Sequence, residues 1–464
     1  MIKIIITAIL SCLYIAYLRY QMKMFQQNSY RPERYLRWLK DNVLPHLGGK
    51  SKLKFVFTKR MVRLLVTALV LGAAAAIFGG WIGALLCVLL CPFVMLLANA
   101  INAPIEKALV KGYIADARRI LASRPDLRII GVTGSFGKTS TKNYLYRILS
   151  EKYNVLITPG NFNTTLGVVR TIREQLKPYH QVFIVEMGAK QVGDIKEICD
   201  LVHPTVGIVT AVGNMHLETF HSFANIQKTK FELVDSLPSD GLGVINFSSE
   251  GIRTYEGIRG DCRIEKYALE DVTDLSYGPT GTDFTFRGER YHTPLLGEGN
   301  VLNILGAICV ARELGVPAAA IKAAVSHLQS VEHRLSQKRA GGLLILDDAY
   351  NSNPQGAAMA LDVLSRIQTP GRRFIVTPGF VELGERQEQE CRALGSLAAK
   401  KADVLVIVNL YNREAIRSGA LEAGMSEENI ICADNLAAAA AYIQAAARNG
   451  DVVLYENDLP DTFK

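Results

Sequence analysis

A chain of 464 residues with 49% hydrophobic content is long enough for about two to four domains and a sizeable buried core. Its formal net charge of +8 is unevenly placed: residues 1–128 carry nineteen Lys and Arg against five Asp and Glu, and the remainder carries 33 bases against 39 acids. The basic excess therefore belongs to one end and not to the folded body, which speaks against nucleic acid as a partner; eight scattered cysteines without a CxxC pair speak against a disulfide framework and for a reduced compartment.

The first element in chain order is an apolar segment from Ile2 to Tyr17. A cleaved signal peptide is the competing reading, but no small-residue cleavage site follows and the basic cluster lies on the C-terminal side. Twelve bases follow between Arg19 and Arg63, faced only by Glu33 and Asp41. Leu64 to Ala98 is then an uncharged run of 35 residues interrupted at Gly79-Gly80. That exceeds the roughly 20 residues of one bilayer crossing and suits a tight hairpin of two spans. The expected spans are residues 2–18, 62–79 and 81–98, and the positive-inside rule assigns the basic loop 19–61 to the cytoplasm. By parity the chain is expected to be a multi-pass protein of the cell (inner or cytoplasmic) membrane, with everything after Asn99 cytosolic. The basic loop is either merely solvated or in contact with anionic membrane lipid. Cys87 and Cys91, one helical turn apart, read as small apolar filler, and Ile105–Ser123 as a linking helix closed by Arg124-Pro125-Asp126.

The body opens with a strand, Ile129–Val132, that runs into Thr133-Gly134-Ser135-Phe136-Gly137-Lys138-Thr139-Ser140 and then a helical pattern. Such a glycine-rich turn presents backbone N–H groups and a helix N-terminus to a polyphosphate, its lysine neutralises distal charge, and its hydroxyl offers a Mg²⁺ ligand. The spacing departs from GxxxxGK[ST], since Val132 stands where the first glycine belongs; a turn without function would not need Lys-Thr-Ser at its exit. Apolar strands at Gln181–Met187 and Val206–Ala211 alternate with helical stretches, which predicts a parallel sheet covered on both faces. Residues 247–295 read as an antiparallel or irregular insert. From Glu332-His333-Arg334-Leu335 onward, strands at Leu343–Leu346, Phe374–Thr377, Val404–Val408 and Asp451–Tyr455 predict a second, smaller doubly wound sheet. The expected fold class is α/β: a P-loop central ATPase domain over 113–334 and a smaller Rossmann-like domain over 335–464, preceded by transmembrane helices within 1–112.

Polar residues recur where these strands end. Glu186 in Val185-Glu186-Met187-Gly188 is placed to complete a Mg²⁺ shell, or is a surface acid. His216 follows the next strand beside that position; a zinc pair of His216 with His221 is disfavoured because nothing nearby completes four ligands. Lys228 and Lys230 lie on different faces of a helix, where solvation is the ordinary fate of a lysine. Asn300 and Asn303 share a helix face; capping accounts for Asn300, and contact with a purine edge is a role open to Asn303.

TGSFGKTS, GNFNT (Gly160–Thr164), VEMGA (Val185–Ala189), the His216 segment, QKTKFE (Gln227–Glu232), Gly299–Asn303 and Asp347-Asp348-Ala349-Tyr350-Asn351-Ser352-Asn353-Pro354 stand in one order that resembles the Mur ligases. Glu382-Leu383-Gly384 is similar to the D-alanyl-D-alanine-adding branch of that family. The resemblance implies ATP-dependent amide formation through an acyl phosphate, with ATP and two Mg²⁺ as cofactors. It implies that Thr133, Gly134, Ser135, Gly137 and Ser140 surround the phosphates, that Lys138 holds the β/γ phosphates, and that Thr139 and Glu186 hold one Mg²⁺. His216 would bind a second metal, with Lys230 an additional anionic ligand once carbamylated by CO₂ and Lys228 its fallback. Asn303 would meet adenine, Arg334 would approach the γ-phosphate from the hinge, and Asp348, Tyr350 and Asn351 would close over ribose and phosphates. The implied partners are a cell-envelope precursor with a free carboxylate and an amino acid or dipeptide amine. A membrane-anchored polyglutamate-type ligase and a silent ATP-binding scaffold are the alternatives. The pattern departs from the family in three places: spans occupy the position of the UDP-sugar-binding domain, Gly299-Asn300 replaces a His-Asn pair, and a terminal Lys-Gly-Ser-Arg stretch is missing.

Overall fold

The computed structural model describes residues 1–28, 30–41, 55–215, 217–278, 281–349 and 353–459. The chain divides into two compact units, Met1–Ala115 and Asp116–Lys464.

In the first unit, helices Ile2–Gln27, Lys59–Leu89 and Cys91–Ala122 are each long and apolar enough to cross a membrane. Thr58 starts the second by accepting a hydrogen bond from the Met61 amide at 3.2 Å. Gly80, at φ 59° and ψ −141°, interrupts it, and the chain doubles back so sharply that a Cβ on Gly83 would lie 1.9 Å from the Ala75 carbonyl oxygen. Polar contacts join the two legs: Asn102 donates to Thr67 at 2.8 Å and Arg63 pairs with Glu106 at 2.6 Å. These two contacts brace the turns on either side of Pro104, which costs its helix one backbone donor. The separate linking helix expected over Ile105–Ser123 is accordingly replaced by a single helix, Cys91–Ala122, continuous through the proline. The Tyr14 hydroxyl docks the first helix by donating to the Ala68 carbonyl at 2.8 Å, over Gly72.

The second unit is α/β. Strands β1 (Arg128–Thr133), β2 (Val155–Ile157), β3 (Val182–Glu186), β4 (Val206–Val209), β5 (Leu242–Asn246) and β6 (Arg263–Tyr267) form an all-parallel sheet in the order β2-β3-β1-β4-β5-β6. The strands are apolar without alternation because both faces are covered: Ile208 and Val244 pack toward helices Lys138–Leu149 and Glu298–Glu313, whereas Val209 and Ile245 pack with Ile226 and Phe231 on the other side. β6 falls inside the stretch expected to be irregular, and its sequence, Arg263-Ile-Glu-Lys-Tyr267, carries too few apolar residues to announce an edge strand of a parallel sheet. The rest of that insert is antiparallel: β7 (Val272–Gly278), β8 (Gly281–Phe286) and β9 (Glu289–Thr293).

A second sheet follows, β10 (Ser336–Ala340), β11 (Leu343–Asp348), β12 (Arg373–Thr377), β13 (Val404–Val408), β14 (Ile430–Ala433) and β15 (Val452–Glu456), in the order β10-β11-β15-β12-β13-β14. Only β10 runs antiparallel. In the first sheet the connections leave β1 toward β2 on one side and reach β4 on the other, so the carboxyl end of β1 lies at a switch point, flanked by the ends of β3 and β4. A crevice opens at such points in open parallel sheets.

Candidate active site

Thr133 ends β1, and Gly134 to Gly137 turn the chain into helix Lys138–Leu149. The turn depends on glycine at two places. Gly137 is left-handed at φ 80° and a Cβ there would lie 2.5 Å from Asn303 Oδ1; at Gly134, φ 150°, a Cβ would lie 2.1 Å from Thr210 Oγ1. The segment after β4 buttresses the loop from below. Ser135 N–H donates to the Ala211 carbonyl at 2.7 Å, Ser135 Oγ donates to the Gly213 carbonyl at 3.0 Å, and the Thr210 hydroxyl donates to the Phe136 carbonyl. Ser140 is buried on the helix, and Thr133 is bonded through its hydroxyl to the Met187 carbonyl at 3.0 Å.

Lys138 Nζ donates to the carbonyls of Gly134 and Ser135 at 2.7 and 3.0 Å. Burial lowers its pKa to about 8; the Glu186 charge opposes the shift and the Arg334 charge adds to it. Glu186, at the end of β3, receives the Thr139 hydroxyl and the Asn163 amide on Oε1, each at 3.2 Å, and ion-pairs through Oε2 with Lys142 at 2.9 Å. Burial pushes its carboxyl up, but the charges of Lys142 and Lys138 and the hydrogen bonds from Lys142 and Asn163 outweigh it and hold the group ionised, below the usual range. Lys142 and Asn163 carried no assigned role in the sequence; the signal available was spacing, since Lys142 follows Lys138 by one helical turn.

Helix Phe223–Asp235, capped by Ser222 onto the Asn225 amide at 3.2 Å, settles which of its two lysines faces inward: Lys228 is exposed and Lys230 is buried. Burial depresses the Lys230 pKa to about 7, the nearby Lys138 charge deepens the shift, and Glu232 and Asp194 counter it. Its ammonium lies 5.8 Å from the Phe220 ring centre. Glu232, two residues on, fixes the helix by accepting the Gly193 and Lys196 amides at 2.7 and 2.9 Å, at the start of helix Asp194–Val202.

Asn303 sits against the exit of the glycine-rich turn, its Oδ1 accepting from the Thr141 hydroxyl at 3.1 Å. Asn300 accepts the Tyr144 hydroxyl at 2.7 Å and donates to the Leu296 carbonyl; Gly297 stands at the N-cap without a side-chain cap bond, so Asn300 ties two helices together and does not play the expected capping role, which needs an oxygen accepting a helix-start N–H. Asp348 ends β11 with Oδ1 bonded to the Leu335 amide at 2.9 Å. Burial raises its pKa to about 6 against the pull of the Arg334 charge. Arg334 is therefore felt by both Lys138 in one domain and Asp348 in the other. Helix Pro354–Arg366 of the second sheet's domain reaches the first: Gln355 Oε1 would meet a Cβ on Gly213 at 2.7 Å, and Arg366 pairs with Glu298 at 3.2 Å. His216, Tyr350 and Asn351 lie outside the described residues. Among the described residues no group of three or more His, Cys, Asp and Glu is gathered as for a metal ion; the oxygen donors brought together are Thr139 and Glu186.

Two family models match the chain, the Mur ligase middle domain over residues 132–311 and the Mur ligase glutamate ligase domain over residues 333–455. A UDP-N-acetylmuramoyl-tripeptide–D-alanyl-D-alanine ligase of Mycobacterium tuberculosis (strain ATCC 25618 / H37Rv) is 31% identical over 383 residues, covering 76% of this chain and 74% of its own length. The protein of the same name from Escherichia coli (strain K12) is 32% identical over 288 residues, 60% of this chain. The chain spans 63% of the length of that relative and 60% of the one from Bacillus subtilis (strain 168). Among solved structures, a MurF ligase from Thermotoga maritima in complex with ADP superposes with a TM-score of 0.66 at 28% identity, covering 75% of this chain and 80% of its own. A pseudomurein peptide ligase from Methanothermus fervidus shares the fold at a TM-score of 0.57 and 17% identity.

Proposed function

The chain belongs to the Mur ligase family, and from that membership we propose that it is an ADP-forming, ATP-dependent ligase that joins a carboxylate of a cell-envelope precursor to an amine, as its relatives named for the UDP-N-acetylmuramoyl-tripeptide–D-alanyl-D-alanine reaction do. The observation that carries the ligase reading beyond nucleotide binding is the burial of a second lysine, Lys230, close enough to feel the Lys138 charge and depressed to about 7. A hydrolase needs one phosphate-loop lysine; a second amine whose unprotonated form is well populated at neutral pH is suited to capture by CO₂, which reacts only with that form.

The residues present fit the cofactors. Gly134 and Gly137 let the turn close against Thr210 and Asn303 where a Cβ would collide, which shapes the loop that presents its N–H groups and the helix start to phosphate, and Thr139 Oγ1 and Glu186 Oε1 are hard oxygens 3.2 Å apart. Mg²⁺ bound there would supply Lewis-acid neutralisation of phosphoryl charge, held by Thr139 and Glu186 at one position and by His216 and carbamylated Lys230 at a second. Lys138 would hold the β/γ phosphates and Asn303 would border the nucleotide at the loop exit, with Arg334 and Asp348 approaching from the C-terminal domain and Tyr350 and Asn351 assigned to ribose and phosphates by the family pattern alone. The substrate carboxylate attacks the γ-phosphorus, ADP departs and an acyl phosphate remains; the amine then attacks the acyl carbon, phosphate leaves, and the amine loses a proton. Closure of the C-terminal domain excludes water that would hydrolyse the acyl phosphate.

The three apolar helices support a multi-pass membrane anchor with the catalytic domains in the cytoplasm, and the carboxylate substrate is then lipid-linked or handed over at the membrane surface. The test is product formation by membranes carrying the protein. Release of ADP and phosphate should require both an acid precursor and an amine, and the product mass should show a single addition. Turnover that needs neither substrate would overturn the reading, and iterative addition of one amino acid would favour a polyglutamate-type ligase.

A further inference from the structure

Among the described residues Lys142 is the most deeply buried lysine, 1% exposed. It donates to the Thr158 carbonyl at 2.9 Å and the Gly160 carbonyl at 2.6 Å, and it forms an ion pair with Glu186 Oε2 at 2.9 Å. One side chain thus ties together the phosphate-loop helix, the segment that leaves β2, and the carboxylate at the end of β3. That segment continues into Asn163, whose amide donates to the other Glu186 oxygen at 3.2 Å and whose carbonyl receives the Gly188 amide at 2.7 Å. Glu186's own amide is held by Thr158 Oγ1 at 3.1 Å. The two carboxylate oxygens are therefore not equivalent. Oε2 is taken up by Lys142 inside the protein, and Oε1 is turned toward Thr139 Oγ1.

We propose that Lys142 is a positioning residue for metal-linked nucleotide binding: by clamping Oε2 and the 158–160 carbonyls it fixes Glu186 as a one-oxygen ligand on the Thr139 side and sets the Gly160–Thr164 loop against it. A buried carboxylate without this counter-charge would turn away from this orientation, because an unpaired buried charge is strongly disfavoured. The inference rests on the reading of Thr139 and Glu186 as a metal pair. It is separable from the ordinary contribution of a buried ion pair to folding, since a purely structural lysine has no reason to act on metal more than on nucleotide.

The test is Mn²⁺ and ADP binding to the full-length chain in detergent, by electron paramagnetic resonance and calorimetry, for wild type, Lys142→Met, Glu186→Gln and the double variant. Wild type should bind ADP more tightly with Mn²⁺ than in EDTA. Lys142→Met should lose at least tenfold of that Mn²⁺-linked gain while its affinity in EDTA stays within twofold, and the double variant should lose no more than Glu186→Gln alone. An unchanged Mn²⁺-linked gain, an equal loss in EDTA, or losses that multiply in the double variant would each overturn the proposal. Should Lys142→Met fail to fold, the double variant, which removes both buried charges together, decides against Glu186→Gln: equal Mn²⁺ linkage supports the proposal and a further tenfold loss overturns it. Absence of any Mn²⁺ linkage in wild type would instead sink the metal reading of Thr139 and Glu186, on which the inference stands.

Discussion

At the scale of the residue, the two depressed lysines set the pH behaviour. Lys230 has a folded pKa of about 7 against roughly 10.4 in an unfolded chain. Between those values the unfolded state holds a proton that the native state lacks, so this residue makes stability rise with pH through that window and withdraws that gain as pH falls toward 7. Lys230→Met should abolish this contribution: the difference in thermal midpoint between variant and wild type, followed from pH 7 to 10, should shift in favour of wild type as pH increases. In ¹³C-bicarbonate the wild type should show a carbamate resonance that strengthens above pH 7 and is missing from the variant, with amide formation falling by several orders of magnitude. Gly137 offers a second test. Alanine there meets both a left-handed φ and Asn303 Oδ1, and should cost about 1–3 kcal/mol along with nucleotide affinity in calorimetry, whereas Gly260→Ala, with open space around it, should change neither. Much of this was legible in the chain: the order of motifs marks Lys138, Thr139, Glu186 and Lys230. Lys142 was not, because a lysine one turn along a helix reads as solvated until the carbonyls of Thr158 and Gly160, 16 and 18 residues away, are seen to surround it.

At the scale of the element, the sheet order explains why residues far apart in sequence converge. The Lys138, Glu186 and Thr210 segments each follow a strand, and those strands are neighbours only because β1 lies between β3 and β4. Apolar runs announce such strands and leave their order unstated, and the polar edge strand β6 shows the limit of that signal. Helix Pro354–Arg366 makes the complementary point for the C-terminal domain. Its start is fixed by Asn353, whose Oδ1 accepts the Gly356 amide at 3.0 Å, and its first turn carries Gln355 to Gly213. Asn353→Ala should cost about 1 kcal/mol and, by loosening the turn that approaches the other domain, should lower the rate of amide formation more than it lowers ADP affinity; a stability loss with an unchanged rate would separate the cap from closure.

At the scale of the whole molecule, hydropathy and charge marked the apolar segments and the basic loop, while the loss of apolar character after Ala98 hid that the last apolar leg and the linking helix expected from Ile105 are one helix, Cys91–Ala122, continuous through Pro104. The proposed topology makes a direct prediction. A cysteine placed at Phe78, 90% exposed beside the hairpin turn, should react with a membrane-impermeant maleimide in intact cells, in a background without Cys12. The exposed native Cys432 should react only after permeabilisation; the reverse pattern would invert the orientation. The closeness of the hairpin has a consequence for how the cell can act on this protein. In the proposed topology a turn made at Gly79–Gly80, with a Cβ on Gly83 meeting Ala75, would leave almost no polypeptide beyond the far face of the bilayer at that point. Proteases, antibodies and glycan-processing enzymes there would find no loop to cut, grip or modify, so in that topology whatever controls the hairpin's abundance and partners would reach it from within the membrane or from the cytoplasmic side.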